Sequence, residues 1–144
     1  MSIISNYYNF DKDAPLVSFL KSKGVNFDLG GHESYHLTSK GFMDLTVEIW
    51  QEGKFKMLSI CHYFVQNGDM MQDPEILYKI HKQDNGTMHE DPQWIQQAPT
   101  GRFDEVYSSR GCNVKLKAEL LQFTKMWIKN LEFQGHQLAQ EVKN

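Results

Sequence analysis

Cysteine is scarce: Cys61 and Cys112 are the only two in 144 residues, and they lie far apart in sequence. Such spacing forms neither a paired metal-ligand motif nor a redox pair, and two reduced thiols are expected rather than a disulfide. No apolar run approaches the ~20 residues that a membrane-spanning helix requires. The opening Met-Ser-Ile-Ile-Ser-Asn-Tyr-Tyr lacks the basic-then-apolar pattern of a secretion leader, so a cytoplasmic protein with no membrane partner is expected. Positive charge is not in excess. The formal net charge of −3 disfavours indiscriminate binding to nucleic acid, whose free energy comes mainly from cations neutralising phosphates. There is no Gly-rich loop of the strand-to-helix type that cradles a dinucleotide or a nucleoside triphosphate, and no internal repeat or low-complexity tract.

What the chain does contain is an ordinary globular composition, with 40% hydrophobic and 23% charged residues, in a length suited to one domain with a real core. Asp11-Lys12-Asp13-Ala14-Pro15 offers aspartates as caps and a proline for the first helical turn, and Leu16, Val17, Phe19 and Leu20 follow as an apolar face. This predicts a helix from Asp13 to Lys23, stopped at Gly24. Val25 to Leu29 alternates and reads as a short strand before Gly30-Gly31. Phe42 to Trp50 alternates more clearly, with Met43, Leu45, Val47 and Ile49 on one side and Asp44, Thr46 and Glu48 on the other.

Phe55 to Val65 is apolar on both parities and reads as a central strand. Glu75 to His81 resumes the alternation through Ile76, Tyr78 and Ile80, with Leu77 as the exception. Asp84-Asn85-Gly86 predicts a hairpin turn, because Asn and Gly tolerate positive φ. Residues 90 to 101, with Pro92, Pro99 and Gly101, read as an irregular segment anchored by Trp94 and Ile95, followed by a short extended piece through Phe103, Val106 and Tyr107. From Asn113, the apolar residues Leu116, Leu120, Phe123, Trp127 and Leu131 recur at helical spacing, widened by Leu121 and Ile128; the helix should end near Phe133, leaving the tail as a loose extra turn. The class that follows is α+β: a single domain, residues 1 to 144, with an antiparallel meander of about four to five strands and a helix at each end packed on the sheet.

The most distinctive polar segment runs from His62 to Glu75. His62, Gln66, Asn67, Asp69, Asp73 and Glu75 are its candidate ligand-binding residues, since clustered oxygens suit a cation or a polar ligand. Each also has a structural explanation: Asn67-Gly68 as a tight turn, Asp69 as an acceptor for backbone amides, and Asp73-Pro74 as the start of a strand. No metal site is assigned. His32 and His36 fall on the same side of an extended segment but well apart, and a third ligand such as His62 or Asp44 would have to come from elsewhere. Cys61 and Cys112 lack any local nucleophile signature, and Asp44 with Glu48 is an ordinary wet strand face. The aromatic residues Trp50, Tyr63, Phe64, Tyr78 and Trp94 serve either as core or as a stacking platform beside Lys54, Lys56 and Lys79.

The run Ser59-Ile60-Cys61-His62-Tyr63, leading into Gln66-Asn67-Gly68-Asp69 and then Asp73-Pro74-Glu75, resembles an uncharacterised family of domains of unknown function carried on bacterial plasmids, phages and conjugative elements. The likeness extends to Asp104-Glu105-Val106-Tyr107 and to Phe123, Trp127 and Asn130, covering most of the chain after Phe42. It implies a small accessory protein of a mobile element and brings no activity, cofactor or catalytic residue with it.

Three functions are weighed on these residues. The first is a non-enzymatic accessory or regulatory domain, monomeric or weakly homodimeric, that binds a protein partner through an exposed sheet edge or face and carries no cofactor. The second is a metal- or small-ligand-binding protein or enzyme built on His62, Asp69 and Asp73, with His36 as a further member. The third, disfavoured by charge, is single-stranded nucleic-acid binding on the sheet.

Overall fold

The computed structural model describes residues 11–28 and 30–139. Its elements in chain order are α1 (Pro15–Ser22), β1 (Glu33–Thr38), β2 (Leu45–Glu52), β3 (Phe55–Gln66), β4 (Asp69–Lys82), β5 (Met88–Gln97), a 3-10 turn (Ala98–Thr100), β6 (Arg102–Glu105), β7 (Tyr107–Ser108), β8 (Gly111–Cys112), α2 (Val114–Gln134) and β9 (Gln137–Leu138). The α+β class holds, but the sheet is larger than the meander read from sequence. Seven strands pair in the order β6-β5-β4-β3-β2-β1-β9, every ladder being antiparallel, and β7 with β8 forms a separate two-stranded ribbon. No described helix is long and apolar enough to cross a membrane.

The extra strands come from segments whose local signals point elsewhere. Residues 25 to 28 do not pair as a strand: Val25 and Phe27 are buried plugs in a loop, and the Asn26 side chain accepts the Asp28 amide at 2.8 Å to make a turn; Leu29 lies outside the described residues. The first strand is instead β1, beyond the glycine pair. Residues 90 to 97 are not irregular either. Pro92 sits in β5 because the ladder with β4 shifts register there, Leu77 facing Trp94 and Tyr78 facing Pro92, so Gln93 is the extra residue of a bulge. A bulge absorbs the amide that proline cannot donate.

The hairpin turns follow their sequence signals. Asn67 and Gly68, at φ of 54° and 84°, form the two-residue connection between β3 and β4, the positive-φ pair that matches strand twist. Gln83, Asn85 and Gly86 close the β4–β5 hairpin, where Asn85 Oδ1 accepts the Thr87 amide at 3.1 Å.

Both helices cover the same side of the sheet. Alternation along the strands puts Leu37, Leu45, Val47, Ile49, Leu58, Ile60, Ile76, Tyr78, Ile80 and Ile95 there, in one cluster with Leu16, Val17 and Leu20 of α1 and Leu116, Leu120, Trp127, Ile128 and Leu131 of α2. Tyr78 is fully buried, and its hydroxyl pairs at 2.7 Å with Thr124 Oγ1, which in turn donates to the Leu120 carbonyl at 2.7 Å. Helix α2 starts where Asn113 Oδ1 accepts the Leu116 amide at 3.0 Å, and it ends at Gly135, whose φ of 79° suits a residue without a Cβ. The tail is not a further helical turn: Gln137 and Leu138 pair with β1 as an added edge strand.

Helix α1 departs from its sequence reading at its start. Neither Asp11 nor Asp13 caps it. Asp13 accepts the Met88 amide at 2.8 Å and pairs with Lys21 at 2.9 Å. The two free amides at the helix start, those of Leu16 and Val17, donate to the Glu90 carboxylate, each at 3.0 Å, so the cap arrives from β5 across the fold. Glu90 is 2% exposed, and burial, opposed by those bonds, pushes its carboxyl up to about 7.

Candidate partner-binding face

A strand sends successive side chains to opposite faces, so the parity opposite to the core defines a second surface. The ladders align it into cross-sheet rows. One row reads His36, Thr46, Cys61, Glu75, Gln96 and Phe103 across β1 to β6, and the next reads Ser34, Glu48, Ser59, Leu77, Trp94 and Glu105. Trp50, Met57 and Lys79 extend it toward the β2–β3 turn. Six strands at the usual spacing make a surface about 24 Å across. Among the described residues, neither helix packs on it.

Met57, Ser59 and Cys61 are buried at the base of this face, while Trp50, Tyr63, Leu77 and Trp94 stand half-exposed around them and Phe103 and Phe55 are exposed. Trp94 and Phe103 pack with ring centroids 5.4 Å apart, and Lys79 Nζ lies 4.1 Å from the Phe55 ring centroid. The charges are mainly acidic. Glu75 accepts from Ser59 Oγ at 2.8 Å, Glu48 faces His32 Nε2 at 3.2 Å, and Glu105 is exposed at the far edge. Burial, reinforced by Glu75, pushes the Cys61 thiol up to about 12, which keeps it protonated and unsuited to nucleophilic attack.

The residues singled out in the polar segment do not share one surface. His62 lies on the helix-covered side, where its Nδ1–H donates to the Asp44 carbonyl at 2.9 Å and its Nε2 accepts from Trp127 Nε1 at 2.9 Å. Both ring nitrogens are therefore engaged, in the neutral tautomer, and burial lowers the imidazole's pKa. Asp73 accepts from Gln97 Nε2 at 3.4 Å, and its charge acts on His62 in the opposite sense to burial. Glu75 is on the open face. Asn67 and Asp69 are exposed at the β3–β4 hairpin tip, about 20 Å along the strand from Glu75; the Gln66 side chain lies outside the described residues.

The histidine pair stands as the extended reading implies. His32 stacks near Trp50 with centroids 6.0 Å apart, while His36 approaches Thr46 Oγ1 at 3.4 Å. Among the described residues, no three His, Cys, Asp or Glu side chains gather as a metal site. The aromatic platform divides: Trp50, Tyr63 and Trp94 belong to the open face, whereas Tyr78 is sealed beneath α2. Lys56 also turns to the covered side, its ammonium donating to the Phe27 carbonyl. Sequence reasoning overlooked Leu77, Met57 and Phe103 as members of this surface. The signal was present in Leu77, the apolar exception in an alternating strand, which reports a second face that is not wholly wet.

The fold and this face define an α+β protein with an antiparallel sheet covered by helices on one side and left aromatic and acidic on the other. The chain belongs to the family described as "Domain of unknown function (DUF6908)", which it matches over residues 18–137. Neither the curated proteins nor the solved structures contain a match to it.

Proposed function

We propose that this chain is a non-enzymatic accessory or regulatory domain that holds a protein partner on the open face of its sheet. The observation that carries the reading is the half-exposed group Trp50, Tyr63, Leu77 and Trp94, bordered by Glu48, Glu75 and Glu105. Large rings already packed on a rigid sheet lose little conformational freedom on binding, which is why tryptophan and tyrosine anchor interfaces. Three glutamates against Lys79 select a partner segment rich in basic and apolar side chains, and they oppose a phosphate backbone. The same acidic border disfavours self-association through this face, in keeping with a monomer or weak homodimer.

The resemblance to domains carried on plasmids, phages and conjugative elements supports a role as an accessory protein of such an element, working in the bacterial cytoplasm as one domain. The test is co-purification from the native host, comparing the natural chain with Trp50→Ala/Trp94→Ala and with Met126→Ala/Phe133→Ala, the latter pair being exposed on α2. A partner lost only with the Trp50→Ala/Trp94→Ala chain is the expected result. Retention of every partner by that variant would sink the reading, and salt-sensitive recovery of single-stranded nucleic acid through the same rings would replace it.

A further inference from the structure

A concavity lies at one end of the sheet, beyond the cross-sheet rows described above and bordering the open face at Phe55. It is formed where the β2–β3 turn (Gln51, Lys54, Phe55, Lys56), the end of β4 (Ile80, His81, Lys82), the start of β5 (Met88) and the loop after α1 (Phe27, Asp28) meet, and it encloses about 380 Å³. That volume is within the range of small-ligand clefts. Its floor is apolar: Phe27, Ile80 and Met88 are buried at 1%, 4% and 5% exposure. Its rim is basic, with three lysines and His81 against Asp28, in a chain whose formal net charge is −3. Lys56 is anchored to the wall through the Phe27 carbonyl. Lys54 and Lys82 are exposed, and neither joins a salt bridge among the described residues.

We propose that this cleft binds a small organic anion, a phosphate monoester or carboxylate carried on a flat apolar body. Lys54 and Lys82 hold the charged group at the rim, acting as point charges with several donors each. The body lies on Phe55 and over the Phe27, Ile80 and Met88 floor, where its burial supplies the non-electrostatic part of the affinity. The local reversal of charge relative to the whole chain distinguishes this from a generally basic surface. Apart from Phe55, which also borders the open face, its named lining lies at the strand ends, so substitutions at Lys54 and Lys82 leave the Trp50, Tyr63, Leu77 and Trp94 group untouched and test it separately from the partner-binding reading.

The experiment is an amide-resolved NMR titration of the full chain with phenyl phosphate, benzoate and inorganic phosphate. Saturable shifts confined to Lys54, Phe55, Lys82 and their neighbours are expected with phenyl phosphate or benzoate, and the stronger of these two identifies the anionic group. Inorganic phosphate should bind at least about tenfold more weakly, because it leaves the floor uncovered. Reversing the rim with Lys54→Glu/Lys82→Glu should abolish saturation, and Lys54→Gln/Lys82→Gln should weaken it at least about tenfold, one factor of ten being 1.4 kcal/mol. Lys115→Glu/Lys129→Glu, on exposed α2 positions, should bind as the natural chain does. Shifts spread equally over the α2 lysines, no saturation with either aromatic anion, or unchanged binding by the rim variants would each overturn the proposal.

Discussion

The two faces of this sheet are made by the same strands and differ in what they do with apolar residues. On the covered face, Leu45, Val47, Leu58, Ile60, Ile76 and Tyr78 are at most 1% exposed, and several of the polar groups that enter are tied off, whereas the buried His136 Nδ1 has no partner among the described residues. Tyr78 bonds Thr124, His62 bonds Trp127 and the Asp44 backbone, and Glu90 caps α1. A buried polar atom without a partner costs the full desolvation penalty, so this side is organised for stability. On the open face the central β3 residues Met57, Ser59 and Cys61 are buried, and Trp50, Tyr63 and Trp94 around them are half-buried. That partly exposed apolar surface, rimmed by charge, is the one the proposed partner would cover.

If the contrast holds, truncation on the covered face should affect folding most. Tyr78→Ala should lose about 4 kcal/mol of unfolding free energy, from the cavity and the lost hydroxyl, read by urea denaturation. Tyr78→Phe should lose about 1 kcal/mol, since Thr124 retains the Leu120 carbonyl. A value for the alanine variant under about 1 kcal/mol would break the distinction between the faces.

Glu90 sharpens the same contrast with pH. Its folded pKa is raised from the ordinary 4.5 to about 7, so the fold prefers the protonated form. The stability it contributes is therefore fully present below about 4.5 and lost as pH rises through about 7, a change of up to about 3 kcal/mol. Thermal unfolding followed from pH 4.5 to 8 should show that decline, and Glu90→Gln should flatten it. Glu90→Ala should lose about 2 kcal/mol at pH 4.5, because the Leu16 and Val17 amides are left without their acceptor, and the loss should shrink as pH rises through about 7, where the charged carboxylate itself is disfavoured.

The smallest effect on stability is expected on the open side. Glu48→Lys/Glu105→Lys should change unfolding free energy by no more than about 0.5 kcal/mol per site, as for surface substitutions away from packed groups. The same variant should weaken capture of the partner at least about tenfold by reversing the acidic border. Loss of stability with no loss of capture would invert the assignment of the two faces.

Much of the local structure is legible in the residues alone. Asn113 caps α2 as its position implies, Gly135 ends the helix, Asn67-Gly68 turns between β3 and β4, and Leu45, Val47 and Ile49 form a buried stripe. These are governed by neighbours within a few residues, through φ preferences, capping and a period of two, so sequence carries them directly. The missed elements depend on distant partners. Pro92 lies in a strand because β4 accepts a bulge opposite it, and Gln137 and Leu138 extend because β1 presents an unpaired edge. Of the candidate residues, Glu75 joins the open face while His62 is committed to Trp127, a division set by strand parity and by which side the helices cover.

The sequence by itself determined an α+β chain with a long amphipathic C-terminal helix and alternating strands, because each of those rests on local periodicity. Only the tertiary structure decided that both helices cover one face, that a glutamate from β5 caps α1, and that a basic-rimmed cleft opens beside an acidic aromatic surface. Those outcomes join residues tens of positions apart, such as Leu16 with Glu90 and His62 with Trp127, and no local preference encodes a contact whose free energy exists only once the sheet has brought the partners together.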